Sequence, residues 1–185
     1  HLPRFSCEWR FVTGTGRPHP TETGLAWHST LAIPFLTGQA IKGLVRAWVH
    51  LNPEHETARA LSTDGAGTIA FGSDNPRKPR RGALTFFGGY PIAPVELVLD
   101  VVNPEHPKWL MEAEPPADYD VPKPLHFLSV EKGEWIFPIA PVVDADDHAV
   151  TLLPLVQSAL ELALYEEGAG AKTSAGYGYF RKAPR

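Results

Sequence analysis

The sequence predicts an α+β domain in which two helices back a small antiparallel sheet in the order β-α-β-β-α-β. Three observations carry that expectation. Two amphipathic helical segments are legible, at residues 39–51 and 152–166. Segments of strand character lie before, between and after them. The 19 prolines in 185 residues break the chain too often for an all-helical fold, and the length suits one domain spanning 1–185. This order is that of a ferredoxin-like (RRM-like) core, here with loop insertions at about 53–81 and 103–124.

Each element has its own signal. Residues 6–13 alternate Cys7, Trp9 and Phe11 against Glu8, Arg10 and Val12, the pattern of a half-buried strand. Gly14 to Gly24 is a loop rich in Gly, Pro and Thr. Thr37 is a natural N-cap for the first helix. Ile41, Leu44, Val45 and Trp48 form its apolar stripe, and Asn52-Pro53 stops it. Residues 53–81 read as polar and irregular, with a basic run from Arg77 to Arg81. Residues 82–90 and 95–102 read as strands. Residues 103–124, rich in proline and acids, read as an insertion loop. Residues 125–130 and 134–140 flank Lys132-Gly133 and suggest a hairpin. Leu152, Val156, Ala159, Leu160 and Ala163 share a face of the second helix. Gly168 is its C-cap candidate, and residues 177–181 read as the last strand.

Composition narrows the function. The chain is 43% hydrophobic and 21% charged, which is ordinary globular composition. The formal net charge is −4, so nucleic-acid binding would need a local cationic patch or help from neighbouring subunits. The single Cys7 makes no internal disulfide and favours a reducing, cytoplasmic setting. No apolar run approaches the roughly 20 residues that span a bilayer, so no membrane partner is expected. No zinc-ligand spacing, calcium loop or nucleophile elbow is present, and no metal or cofactor is expected.

Two segments carry binding chemistry. Gly168, Gly170, Gly176 and Gly178 frame Lys172, Thr173 and Ser174. Glycines permit close approach of another backbone, and the cation, hydroxyls and amides suit a polyanion. The loop follows a helix and precedes a strand, the reverse of a phosphate loop or dinucleotide fingerprint. On spacing alone it reads equally well as a tight helix-to-strand connection. The second segment is Thr37-Gly38 with Gln39, Lys42 and Arg46 on one helix face. Free amides at the helix start and two cations would cradle a phosphate; a solvated basic face is the plain alternative. His28 is the single histidine placed to be tested as a catalytic base.

Taken together, the two segments resemble a known pairing. Ile33-Pro-Phe-Leu-Thr-Gly-Gln-Ala-Ile-Lys-Gly-Leu-Val-Arg46 is similar to the Ile-Pro-Gly-Ser-Ser-Leu-Lys-Gly-x-x-Arg segment of the RAMP superfamily, RNA-binding subunits of CRISPR systems. The C-terminal Gly-Ala-Gly-Ala-Lys-Thr-Ser-Ala-Gly-Tyr-Gly-Tyr-Phe180 is similar to that family's glycine-rich loop before its last strand. Phe35-Leu36-Thr37 departs from the usual Gly-Ser after proline. Residues 82–91, 99–106 and 122–130 further resemble the Cmr subunits of type III-B effector complexes, the sixth most of all. The resemblance implies a non-catalytic RNA-binding subunit of an antiviral ribonucleoprotein. It implies that Thr37, Gly38, Gln39, Lys42, Arg46, Gly168, Gly170, Lys172, Thr173, Ser174, Gly176 and Gly178 hold guide-RNA backbone near its 3′ end, where the subunit caps a filament. The implied partners are guide (crRNA) and target RNA and other Cmr RAMP subunits. The alternative is a metal-free RAMP endoribonuclease that processes precursor guide RNA with His28 as base.

Overall fold

The structure, a computed structural model, describes residues 2–16, 19, 23–73, 75–103, 115, 124–145 and 147–183. In chain order they form β1 (Phe5–Cys7), β2 (Trp27–His28), β3 (Ile33–Pro34), β4 (Leu36–Thr37), α1 (Gly38–Leu51), α2 (Glu56–Ser62), α3 (Ala66–Phe71), β5 (Gly72–Ser73), β6 (Arg80–Arg81), β7 (Leu84–Phe86), β8 (Gly88–Pro91), β9 (Leu97–Val102), β10 (Leu125–Val130), β11 (Glu134–Ile136), β12 (Ile139–Pro141), α4 (Asp147–Glu166) and β13 (Phe180–Lys182). The main sheet has the order β13-β1-β11-β8-β4, antiparallel throughout. Apart from β4, that is fourth, first, third and second in sequence, the ferredoxin-like order the sequence predicts. The short edge strand β4 leads straight into α1.

Local chemistry fixes the first helix. Thr37 is extended (φ −72°, ψ 149°), and its side chain accepts from the Ala40 amide at 3.2 Å. The stripe is buried as expected at Ile41, Val45 and Trp48, with Leu44 partly buried against the same core. Trp48 Nε1 donates to Glu166 at 2.6 Å and ties the last turns of α1 to the end of α4. The backbone and side-chain N–H groups of Asn52 both turn back to the Trp48 carbonyl, which ends the helix.

The structure departs from the sequence reading in five places. Residues 53–81 are not irregular: α2 and α3 bury Ala58, Leu61, Ala66, Ala70 and Phe71 in the main core. Their apolar residues are few and small, so the helical period is hidden by polar neighbours. The two segments flanking Lys132-Gly133 do not form a hairpin. β10 pairs with β9, whereas β11 pairs with β1 and β8. The strand read at 82–90 breaks at Phe87 into β7 and β8, and the one read at 6–13 stops at Cys7, with only Phe11 bridging to Val130. Last, α4 starts at Asp147, with Pro154 inside it, and its 20 residues reach membrane-spanning length and hydropathy. Leu152, Val156, Ala159, Leu160, Ala163 and Leu164 of that helix are buried in the core, which accounts for its apolar character. The insertion read at 103–124 lies, but for residues 103, 115 and 124, outside the described residues.

Candidate nucleic-acid interface

The glycine-rich loop is sewn to the segment after β1. Ala169 N–H donates to Gly178 O at 2.7 Å and closes the loop's base. Ala171 N–H reaches Val12 O at 2.8 Å, and Gly178 N–H reaches Arg10 O at 2.7 Å. Those bonds need backbones in contact. A Cβ on Gly178 would collide with the Ala169 carbonyl, and one on Gly170 with the Val12 carbonyl and the Phe11 ring. Gly168 and Gly178 are buried, so they shape the loop from within. Gly176 differs: it is exposed, with open space where a Cβ would stand.

The chemistry sits at the loop's tip. Lys172 adopts the left-handed conformation (φ 60°, ψ 31°) and leads a 3-10 turn over Thr173–Ala175. A non-glycine residue held there stores strain, which neighbouring bonds must maintain. Lys172 O accepts from Ala175 and Tyr177 amides at 3.0 and 3.3 Å, and Thr173 O accepts from Gly176 at 2.9 Å. The Lys172 ammonium lies 4.9 Å from the Phe127 ring centre, so the ring holds the cation without neutralising it. Ser174 and Gly176 are exposed, and Lys172 and Thr173 are half-buried.

Beneath the tip lies a polar knot that sequence reading missed. Tyr177 hydroxyl donates to Asp100 Oδ2 at 2.6 Å, and Arg10 Nη1 donates to the same oxygen at 2.7 Å. Arg10 also donates to Glu131 at 3.2 and 3.4 Å. Burial alone would raise the Asp100 carboxyl; the hydrogen bonds from Tyr177 and Arg10 outweigh it and hold the carboxyl below its usual range. Burial, then the Asp100 bond, push the Tyr177 hydroxyl up to about 12. The knot joins β9, the end of β10, the post-β1 segment and the loop. Its one legible signal was Asp100, a lone charge inside the apolar run Leu97–Val102.

The second segment is reached through Thr13. Its hydroxyl donates to Phe35 O at 3.3 Å, and Phe35 lies two residues before the Thr37 cap. Residues 10–13 therefore touch both motifs. Thr37, Gln39 and Arg46 are exposed, and Gly38 and Lys42 are half-buried. Arg46 lines a cavity of about 400 Å³ with Val49, Leu61, Phe71 and Gly72. The basic residues Arg80 and Arg81 pair with Ser73 and Gly72 on the hairpin at that cavity's edge.

His28 sits on the β2–β3 hairpin against the rings of Phe35 and Tyr90, at 5.4 and 6.4 Å. Its Nδ1 accepts from the Leu31 amide at 3.2 Å. In the neutral ring that places the proton on Nε2, leaving no second nitrogen to accept one. Among the described residues no group of three His, Cys, Asp or Glu side chains has the arrangement to hold a metal ion.

Comparison with known proteins follows the same lines. The RAMP superfamily matches residues 9–181. The chain is 25% identical over 229 aligned positions to the CRISPR system Cmr subunit Cmr6 of Pyrococcus furiosus, covering 95% of this chain and 66% of that protein. The crystal structure of Cmr6 from Pyrococcus furiosus matches with a TM-score of 0.59 at 22% identity, over 100% of this chain and 97% of that one. A chain of the type III-B Cmr-beta complex bound to cognate target RNA matches with a TM-score of 0.73 at 19% identity, over 98% of this chain and 57% of that one. A type IV-B CRISPR complex chain matches with a TM-score of 0.56 at 15% identity, over 97% and 89% of the two chains. The chain thus spans just under two thirds of its curated relative's length. With the ferredoxin-like strand order, the glycine-rich loop before the last strand and a family match over nearly its whole length, the chain belongs to the RAMP superfamily.

Proposed function

We propose that the chain is a non-catalytic RNA-binding subunit of a type III-B CRISPR effector complex, holding guide-RNA backbone near its 3′ end and capping the row of backbone subunits in antiviral defence. The observation that carries this reading is the strap of residues 10–13, hydrogen-bonded to the glycine-rich loop at Arg10 and Val12 and to the approach to α1 at Thr13. It ties both family motifs to one frame. A guide varies in sequence, so its holder must read phosphate and 2′-hydroxyl rather than base edges. Lys172 supplies the cation for one phosphate, with Thr173 and Ser174 as further donors. Lys42 and Arg46 supply countercharge along α1. The net charge of −4 suits a subunit whose neighbours share the RNA groove. Guide and target RNA and further Cmr RAMP subunits are the partners of this reading.

The test is salt dependence. Each phosphate neutralised on a single strand adds about 0.7 to the slope of log affinity against log salt. A Lys42→Ala/Arg46→Ala/Lys172→Ala variant should lose up to about 2 from that slope while keeping its thermal melting. An unchanged slope in a folded variant sinks the proposal. Precursor-processing catalysis is disfavoured by the bond from Leu31 to His28 Nδ1, which leaves no free basic nitrogen. Purified protein incubated with repeat RNA in EDTA should leave it intact; discrete cleavage lost in His28→Ala would reinstate the enzyme.

A further inference from the structure

The proposed backbone grip leaves Trp9 unused. Alternation places it on the same face as Phe11, yet Phe11 is 0% and Trp9 47% exposed. The strand has ended at Cys7, so the next residues are free to turn the indole outward. Leaving that much indole in water forgoes burial energy. The side chain is nonetheless held in place. It leans on Tyr177, with ring centres 4.8 Å apart and planes tilted by 41°. The Arg10 guanidinium carbon lies 5.2 Å from its ring centre. Both neighbours are locked by the same Asp100 oxygen.

The row of rings continues towards the loop's tip. Tyr177 meets Phe127 at 6.0 Å, and Lys172 caps Phe127. Trp9 and the Lys172 cation are thus the two ends of one rigid assembly. Beside Trp9 opens a groove of about 520 Å³, walled by Ser6, Cys7, Ala93 and Gly133. Its carboxylates Glu8, Glu131 and Glu134 each carry an arginine partner, Arg181, Arg10 and Arg4, and Lys132, also on its wall, pairs with Glu96 at 3.2 Å. Matched charges give the groove no pull on a phosphate. They leave a wall suited to a flat, uncharged group.

We infer that Trp9 is a nucleobase-stacking residue: an unpaired base of the strand whose phosphate lies on Lys172–Ser174 packs against its indole. The inference rests on the RNA-binding reading. Stacking is indifferent to sequence, because every base has a π face, so it is compatible with a variable guide.

The test pairs the protein with two single-stranded probes, a uridine oligomer and the same backbone carrying abasic sugars. Trp9→Ala should weaken the uridine oligomer about five- to hundredfold and leave the abasic probe unchanged, with Trp9→Phe in between. Thermal melting of each variant reports folding. Photo-crosslinking of wild-type protein to a 5-iodouridine oligomer serves as the second measurement and should map to the peptide containing Trp9. Wild type that binds both probes, with Trp9→Ala altering neither, overturns the inference and leaves the backbone reading standing. Crosslinks confined to peptides elsewhere overturn it too. Wild type that binds neither probe ends both.

Discussion

Gly176 and Gly178 both have positive φ, at 89° and 79°, but their surroundings differ. At Gly178 an added methyl meets the Ala169 carbonyl, so Gly178→Ala combines left-handed strain with a clash and should cost about 2–5 kcal/mol in chemical denaturation. At Gly176 the space is open, and Gly176→Ala should cost about 1 kcal/mol from strain alone. RNA affinity should separate from stability at Gly176, where a methyl stands where a backbone would approach. Asp100 gives a second residue-scale prediction. Its folded carboxyl titrates below its unfolded range, so its contribution is full above about pH 4 and is lost as pH falls below that. Tyr177 is raised, so its contribution is full below about pH 10 and is lost as pH rises towards about 12. Asp100→Asn should remove its part of the acid limb of the stability–pH profile measured by urea unfolding and make the alkaline limb shallower, with the part that burial of Tyr177 causes remaining. Limbs as steep as wild type would show that the knot is energetically idle.

Among the elements, the short α2 and α3 carry the main surprise. Leu61 is 1% exposed, packed with Ala58 and Phe71 against the body of the protein. Leu61→Ala should therefore cost about 2–5 kcal/mol by urea titration, where a loose insertion would give almost nothing. The helices that were legible are those with long apolar stripes and strong ends: Thr37 before α1, Asn52 after it, Gly168 after α4. Six- and seven-residue helices show too few turns for a period, and Ala58, Ala66 and Ala70 do not announce a core. Strand existence was legible, but pairing was not. Lys132-Gly133 looked like a hairpin turn because local chemistry says nothing about which distant strand competes. The competitor, β9, pairs with β10 along six residues. At the candidate site, the glycines and Lys172 could be read from spacing. Arg10 and Phe127 could not, because each becomes part of the site only through contacts distant in sequence, and Asp100 showed only as a lone charge in an apolar run, with nothing to name its partners.

For the whole molecule, the acidic balance and the RNA reading meet in local arrangement. Lys172 rests on a ring instead of a carboxylate, whereas Arg10, Arg4 and Arg181 are spent on acids. Affinity for single-stranded RNA should thus fall most for Lys172→Ala, with a slope loss of about 0.7, and little for Arg4→Ala. A filter-binding series in rising salt reads both. The strap of residues 10–13 has a further meaning in time. The loop's two anchors come from near the start of this sequence and the loop itself from near its end, so nearly everything between them has to be synthesised before they meet. A nascent chain still lacking residues 169–180 holds its strap with no loop to receive. If the chain holds guide RNA as proposed, capture waits until β13 has left the ribosome, because the bonds that complete the grip form only then.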